Sequence, residues 1–457
     1  MNGAGRRKLE IYTNLRQAPA RPKPRNPIPT APPPEKYRVR HKENTTVPLR
    51  VYNSLTRRKE PFDMEPGSTV KFFVCGPTVY DYAHLGHART YVAFDIIARY
   101  LEFLGYHVRY LMNITDVADR LIERAAQSKK EPLPLAREYE HAFLENMKAL
   151  GITNVEGYYR ASDYIPQITA QIRGLIEKGM AYQTETGVYF EVNKYPKFGQ
   201  LSGLNRDELG LRRLELCSSK KNTEDFSLWR RHNAGLRWES PWGDGRPGWH
   251  VEDTAISITN FGDTYDMHGG ASELIFPHHE AEIAQAEALT GKAPFVKFWL
   301  HTGLLTMKGR KMSKSLGNVI PIREALSQYT AEELRYYFAS FHYRDQVNVS
   351  DSALKRARKD LRYIRKNLQI FQNSHSAPRK AIKTSVMVQR AESDFRNCMD
   401  DDFDTPKALA VLRNFSEKLS RLDKVGIDDR SKMIAGQAFR RMSNIVGILS
   451  WYKKELI

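Results

Sequence analysis

The sequence predicts an α/β protein in which a parallel sheet is interrupted by an insertion and followed by a bundle of helices. Apolar strands alternate with amphipathic helices over residues 48–127 and again over residues 246–320, which is the pattern of βαβ units and therefore of a parallel sheet. Residues 128–245 break this alternation, and residues 321–457 show helical periodicity. Residues 1–47 are rich in proline and basic side chains, which predicts a disordered arm.

The first α/β stretch contains two strands, each followed by a helix. Its predicted elements are the strand Val70–Cys75, the helix Thr90–Leu104, the strand His107–Asn113 and the helix Val117–Gln127. The first helix is expected to stop at Gly105. Cys75 and Thr115 close the two strands, so both should lie at the carboxyl edge of the sheet, where α/β proteins place their sites.

The remaining elements follow the same logic of periodicity and stop signals. In the insertion we predict the helices Leu135–Leu150 and Tyr164–Lys178 and a short β section at Gly179–Val192. In the second α/β stretch we predict the strand Tyr265–His268, the helix His278–Leu289 and the strand Phe295–Thr302. The terminal bundle is predicted from the helices Ala331–Ser340, Ser352–Gln372, Thr384–Met399, Thr405–Val425 and Asp429–Trp451.

The net charge of +18 is confined to the two ends of the chain. Residues 1–47 hold 11 Lys/Arg against 3 Asp/Glu, residues 351–457 hold 23 against 13, and the region between them is balanced. This distribution favours a polyanionic partner such as nucleic acid over the alternative of solvated lysine-rich helices. Three scattered cysteines argue against a disulfide framework and for a reducing cytoplasm, and the lack of an 18-residue apolar run argues against a membrane span.

A histidine pair opens the first helix. His84, Gly86 and His87 follow the strand that ends at Cys75, and the unpaired N–H groups of a helix start form an anion site. Glycine between the histidines would let a phosphate chain approach closely. Taken alone, such a pair fits a surface or core position equally well.

A second segment, residues 307–318, is a glycine-punctuated loop with the lysines Lys311 and Lys314. Its ammonium groups could close over a polyphosphate. For an arbitrary lysine run, a solvated basic loop would be the better interpretation. The histidine pair and the lysine loop therefore have to be considered together.

The pairing of His84-Leu85-Gly86-His87 with Lys311-Met312-Ser313-Lys314-Ser315 resembles the two motifs of class I aminoacyl-tRNA synthetases. Three further segments, Cys75–Asp81, Gly248–Asp253 and Phe276–Glu282, resemble the cysteinyl-tRNA synthetase family. The resemblance runs from about Leu49 to the C-terminal helices. It implies a Rossmann-like doubly wound sheet at 48–127 and 246–320, a connective peptide at 128–245, and a stem-contact and helical-bundle domain for tRNA and anticodon binding at 321–457.

Four side chains are candidates for a metal site. His278 and Glu282 are four residues apart and share one helix face, the spacing that a metal needs from a single helix. The resemblance adds Cys75 and Asp253 and implies one zinc ion per chain. Asp253 stands where the family has a second cysteine, which keeps the ligand charge at −3 but makes the site harder. The alternative is a His–carboxylate pair without metal.

The resemblance also implies roles around the substrate. Thr115 and His268 would hold the polar groups of cysteine, and Trp249 would pack beside it, although a buried core position is the alternative for Trp249. Glu273 replaces an expected aspartate in this set. The ATP-binding and catalytic residues would be His84, Gly86, His87, Lys311 and Lys314, with Mg²⁺ accompanying ATP.

The implied activity is a cysteine–tRNA ligase that forms cysteinyl-adenylate and charges tRNA(Cys), as a cytoplasmic monomer. Basic residues recurring along one C-terminal helix suit a tRNA backbone: Lys355, Arg356, Arg358, Lys359, Arg362, Arg365 and Lys366. The distance from the lysine loop to the chain end is short for this family, which leaves anticodon recognition open. The alternatives are a ligase that passes cysteine to an amino sugar and an inactive tRNA-binding paralogue.

Overall fold

The computed structural model describes residues 48–205, 208, 218–312, 317–375, 381–424 and 426–449, without the side chains of 381–383. The predicted arm at 1–47 and the second loop lysine, Lys314, lie outside the described residues. The part of the chain that is described contains no helix long and apolar enough to cross a membrane.

The first α/β stretch has the predicted β-α-β-α succession. Its elements are β1 (Arg50–Asn53), β2 (Arg58–Pro61), β3 (Thr69–Val74), α1 (Leu85–Phe103), β4 (His107–Ile114) and α2 (Asp119–Ser128). Helix α1 begins at Leu85 rather than at Thr90, because His84 caps it through the N–H of Gly86. It stops before Gly105, whose φ of +95° favours glycine, as predicted.

The insertion contains more strands than its sequence predicted. Its elements are α3 (Pro132–Ala149), β5 (Gly157–Arg160), α4 (Ile165–Glu177), β6 (Ala181–Gln183), β7 (Gly187–Phe190), β8 (Phe226–Arg231) and β9 (Gly245–Pro247). Strands β6 to β9 form an antiparallel sheet in chain order. Strand β9 has only three residues and β8 ends in two arginines, so neither gives an alternating apolar pattern.

The second α/β stretch adds a helix that the sequence did not predict. Its elements are α5 (Trp249–Phe261), β10 (Tyr265–Ala271), α6 (Glu280–Thr290), β11 (Val296–Thr302), β12 (Leu305–Met307), β13 (Arg310–Lys311) and α7 (Ile322–Gln328). Helix α5 was missed because its polar residues, including Glu252 and Asp253, are buried together with its apolar ones, which removes the amphipathic signal.

The C-terminal part is a helical bundle, as predicted. Its elements are α8 (Ala331–Ala339), β14 (Val347–Val349), α9 (Asp351–Gln372), α10 (Ala381–Asp400), α11 (Thr405–Arg421) and α12 (Asp429–Val446). Helix α11 packs against α9, α10 and α12. Strand β14 joins β12 and β13 in a separate small sheet.

The central sheet has the strand order β11–β10–β3–β4–β5, and all of its neighbouring strands are parallel. The predicted doubly wound α/β fold is therefore confirmed, and β5, which lies within the predicted insertion, completes the sheet. The chain reverses its direction of winding between β3 and β10. Cys75 directly follows β3, so it lies at the switch point where such sheets bind ligands.

A buried arginine joins the helical bundle to the α/β part. Arg335 of α8 is 1% exposed and donates from Nη2 to Oδ2 of Asp95 in α1 at 2.6 Å. It also donates to the carbonyl oxygens of Leu150 at 3.2 Å and Val446 at 3.0 Å. One guanidinium thus satisfies groups at the ends of α3 and α12 and inside α1, which fixes these three helices against α8.

We expect Arg335→Ala to lower the free energy of unfolding by about 3–5 kcal/mol. Asp95 keeps its ion pair with Arg99 at 2.7 Å but loses the fully buried one. The carbonyl oxygens of Leu150 and Val446 lose a buried donor as well. The measurement is urea denaturation followed by circular dichroism. Arg441→Ala is the matched control, since Arg441 of α12 pairs with Glu392 at a largely solvated surface and should cost less than about 1 kcal/mol. An equal loss of unfolding free energy in the two variants would contradict the role of Arg335 in holding the helical bundle against the α/β part.

Candidate active site and metal centre

A cavity of about 750 Å³ opens at the carboxyl edge of the central sheet. Three parts of the chain contribute to its wall. The first α/β stretch provides His84 and His87, the second provides Trp249 and Lys311, and the insertion provides Arg230 and its neighbours. The switch point of the sheet therefore brings together residues that are more than 200 positions apart.

The histidine pair has a fixed orientation at the start of α1. Nδ1 of His84 accepts the N–H of Gly86 at 3.1 Å, and Nδ1 of His87 accepts the N–H of His84 at 3.2 Å. In the neutral rings the proton is then on Nε2, so both rings present a donor of the same kind. A Cβ on Gly86 would lie 2.8 Å from the His84 ring, so any other residue here would displace that ring.

Lys311 lies on the same cavity, where its ammonium group forms an ion pair with the carboxylate of Glu273. Both side chains are about half exposed. Glu273 was predicted to bind the amino acid; the structure places it against the lysine loop. The position of Lys314 is not among the described residues.

The four predicted metal donors converge. Sγ of Cys75 lies 3.2 Å from Oδ2 of Asp253, which in turn lies 3.2 Å from Nε2 of His278. The same Nε2 is 3.0 Å from Oε1 of Glu282, and all four donor atoms lie within 4.8 Å of one another. Tetrahedral zinc, with bonds of about 2.0–2.3 Å, separates its ligand atoms by roughly 3.3–3.8 Å, so this cluster is of the right size.

The donor cluster fits a cation on chemical grounds as well. Both carboxylate oxygens of Glu282 are buried, and among the described residues neither makes a hydrogen bond of acceptable geometry, although Nε2 of His278 lies 3.0 Å from Oε1. Burial raises the pKa of the Cys75 thiol, and Asp253 and Glu282 raise it further. Burial and the nearby Asp253 likewise raise the pKa of Glu282. A divalent cation would remove this repulsion and satisfy the orphaned oxygens.

A second set of donors overlaps the first. Cys75 and Glu282 also lie within 4.8 Å of His268 and His279, with the two Nε2 atoms 3.2 Å and 3.1 Å from Sγ. Neither of these histidines is among the described residues that line the cavity, whereas Cys75, Asp253 and His278 are. A metal that has to meet a substrate is therefore better served by the first set.

Asn113 at the end of β4 orients Asp253. Its Oδ1 accepts the N–H of Gly76 at 2.5 Å, which turns Nδ2 toward Oδ1 of Asp253 at 2.6 Å. Oδ2 of Asp253 is then the oxygen that faces Cys75 and His278. Because this hydrogen bond occupies Oδ1, Asp253 has one oxygen left to act as a metal ligand. A cysteine sulfur would likewise offer one ligand atom.

The predicted amino-acid residues lie at different depths. The Trp249 ring is 40% exposed and stacks on His278 with centroids 4.1 Å apart, so it is not a core residue. Thr115 is 2% exposed but lines the cavity, and its hydroxyl accepts from Asn113 at 3.2 Å. His268 is fully buried behind Cys75, with Nδ1 2.6 Å from the Tyr265 hydroxyl.

The sequence did not single out Asn113, His250 or His279 as functional. Nδ1 of His250 lies 2.9 Å from Nδ1 of His278 and so fixes the orientation of that donor ring. His279 would have stood out as the neighbour of a predicted ligand in a His-His pair. Asn113 gave no signal, because an asparagine at the end of a strand is most simply a turn residue.

Comparison with known proteins places these features in a family context. Residues 62–359 match the model described as tRNA synthetases class I (C) catalytic domain, and residues 394–450 match the DALR domain. The chain is 43% identical to the cysteine–tRNA ligase of Thermococcus onnurineus, with 89% of this chain and 88% of the relative covered. It is 42% identical to that of Thermoplasma acidophilum, with 88% of each covered.

Solved structures support the fold. A Mycobacterium tuberculosis methionyl-tRNA synthetase bound by methionyl-adenylate aligns with a TM-score of 0.62 and 16% identity, covering 84% of this chain and 91% of that one. The LeuRS–tRNA–LeuAMS complex from Agrobacterium radiobacter K84 aligns with a TM-score of 0.63 and 12% identity, covering 86% and 87%. At these identities the likeness concerns the architecture alone.

We expect Asn113→Ala to weaken Zn²⁺ binding by about 10–100-fold, because Asp253 loses the donor that directs its oxygen into the cluster. Chelator competition on the purified protein measures this affinity. Asn367→Ala is the control: it also removes a buried asparagine, one that donates to Ser416 in the bundle. Unchanged zinc affinity in Asn113→Ala would contradict the orienting role.

Proposed function

The chain belongs to the cysteinyl-tRNA synthetase (cysteine–tRNA ligase) family of class I aminoacyl-tRNA synthetases, and on this basis we propose roles in the reaction for residues of the cavity. The protein activates L-cysteine with ATP to cysteinyl-adenylate and transfers the cysteinyl group to the 3′ end of tRNA(Cys). The observation that supports this most strongly is that one cavity is lined both by the histidine pair and by members of the cluster of four proposed zinc ligands. Zinc in such a cluster could bind a substrate thiol. We propose that the protein is a monomer and that it acts in the cytoplasm. Free thiols such as Cys75 and Cys398 persist in that reducing compartment.

Selection of the amino acid depends on the donor cluster. Zinc held by Cys75, Asp253, His278 and Glu282 would supply an open position that prefers a thiolate to a hydroxyl, and so separates cysteine from serine. The stacked ring of Trp249 forms the wall beside His278. Thr115 provides a hydroxyl on the same cavity for the polar groups of the substrate.

Activation of the carboxylate needs position and charge rather than a base. An oxygen of the cysteine carboxylate, which is already ionised, bonds to the α-phosphorus of ATP as the bond to pyrophosphate breaks. The Nε2–H donors of His84 and His87 and the N-terminus of α1 stabilise the phosphate oxygens. Lys311, together with Lys314, would neutralise the leaving pyrophosphate, and ATP is expected to bind as its Mg²⁺ complex.

The tRNA is proposed to lie along α9. Five of its seven predicted basic residues are exposed: Lys355, Arg356, Lys359, Arg362 and Lys366. The other two, Arg358 and Arg365, are half-buried and pair with Glu333 and Glu332 of α8. The exposed set suits the phosphate backbone, whose contacts position a nucleic acid without reading its bases. A ligase for a neutral amino sugar would have no use for this surface.

The direct test is charging of total tRNA with labelled cysteine and ATP. We expect acid-precipitable cysteine that a roughly hundredfold excess of serine does not displace, because discrimination beyond about 10²-fold exceeds what pocket size alone provides. The measurement is paired with cysteine-dependent pyrophosphate exchange. Exchange without charging would point to the amino-sugar acceptor, and neither activity would point to an inactive paralogue.

The role of the lysine loop has its own test. Lys311→Ala should lower the rate of cysteine-dependent pyrophosphate exchange by about 10²–10³-fold, because one positive charge is lost where negative charge develops. Lys308→Ala, an exposed lysine of the same loop, is the matched control and should stay within about threefold of the wild type. Equal rates for the two variants would remove Lys311 from the mechanism.

A further inference from the structure

Two arginines face each other across a strand pair on the cavity wall, one within the insertion and one directly after it. Arg230 in β8 and Arg246 in β9 are register partners, and both line the cavity that holds the histidine pair and the donor cluster. Both bind the carboxylate of Asp119, the first residue of α2: Nη1 of Arg230 at 2.7 Å and Nη2 of Arg246 in closer contact. We call Arg230 and Arg246 the arginine pair.

Attachment of the insertion to α2 does not by itself explain the arginine pair. One arginine would suffice to hold Asp119, and a second one directly opposite in an antiparallel ladder adds repulsion between like charges. The side chain of Arg246 is only 9% exposed, so this repulsion is little screened by solvent. Arg120, next to Asp119, adds another positive charge to the same wall. Three guanidinium groups thus lie around the carboxylate of Asp119, and the buried Glu252 is a second carboxylate that acts on Arg246.

The cavity has to admit a second anion besides ATP. The triphosphate has its own partners at the start of α1 and on the lysine loop. Transfer then requires the 3′-terminal ribose of the tRNA to enter the same cavity. Its hydroxyl oxygen bonds to the adenylate carbonyl carbon as AMP leaves, and the phosphate of the departing AMP takes up the hydroxyl proton. That ribose carries a phosphodiester, and the planar fork of arginine matches a phosphate bidentately.

We infer that Arg230 and Arg246 bind the last phosphodiester of the tRNA acceptor strand and so position the terminal ribose for transfer. The inference rests on the proposed function, because it assigns a place to the acceptor of that reaction. Asp119 holds the two guanidinium groups side by side before the phosphate arrives. Neither arginine takes part in bond making, so the site acts on the second step of the reaction.

The test combines a change in the RNA with a change in the protein. A tRNA(Cys) carrying a neutral methylphosphonate at its last linkage is compared with the unmodified tRNA in single-turnover transfer from enzyme-bound cysteinyl-adenylate. With wild-type protein we expect the modification to slow transfer about 10–100-fold. Arg246→Gln should slow transfer of the unmodified tRNA by a similar factor and should add no further loss with the modified one.

Arg237→Gln is the matched control. Arg237 lies in the connection between β8 and β9, pairs with Asp244 at 3.2 Å and is not among the described residues that line the cavity. Its transfer rates should equal those of the wild type with both RNAs. Arg230→Gln repeats the test at the other member of the pair, and the wild-type comparison of the two RNAs requires no variant to fold.

Three results would overturn the inference. Wild-type protein could transfer to both RNAs equally, the losses from the modification and from Arg246→Gln could multiply, or Arg246→Gln could raise the KM for ATP in pyrophosphate exchange and leave transfer unchanged. The last result would assign the arginine pair to ATP. Failure of the proposed function is distinct, since wild-type protein would then neither exchange pyrophosphate with cysteine nor charge tRNA.

Discussion

The central constraint on this structure is the burial of one thiol and two carboxylates next to one another at the switch point of a parallel sheet. Cys75 comes from the end of β3, Asp253 from the first turns of α5, and Glu282 from α6. Each is at most 5% exposed, so their repulsion is strong unless a cation lies between them. A cation bound by this cluster would stabilise it, and folding of the cavity floor would then be coupled to the proposed function of the site.

The proposed ligand Asp253 stands where the family has a cysteine, and its surroundings suit this exchange. A carboxylate offers two oxygens where a sulfur offers one donor. Asn113 occupies one of them from the side of the sheet and is itself held by the N–H of Gly76. The charge and the number of donors are preserved, and the harder oxygen shifts the balance of metal affinity away from soft ions.

Helix α1 links this chemistry to the rest of the molecule. Its first turn carries His84 and His87, and its middle carries Asp95, which Arg335 ties to the helical bundle and to the end of α3. The insertion and the residue directly after it reach the same cavity from the other side through Arg230 and Arg246. The proposed sites for phosphate, thiol and acceptor strand would therefore keep a fixed relation although they arise from distant parts of the chain.

The sequence by itself determined the α/β class and the bundle, because periodicity and stop residues are local properties. Its motifs and the family that they resemble pointed to the histidine pair and to the four proposed ligands, which do lie close together. Among the elements that it missed are α5, β8 and β9, whose buried polar or very short segments carry no periodic signal. Only the tertiary structure decided that Glu273 contacts Lys311, that His268 lies behind Cys75, that Asn113 turns Asp253 and that Arg230 faces Arg246. These are contacts between segments distant in sequence, and their geometry is set by sheet register and packing, which no local pattern encodes.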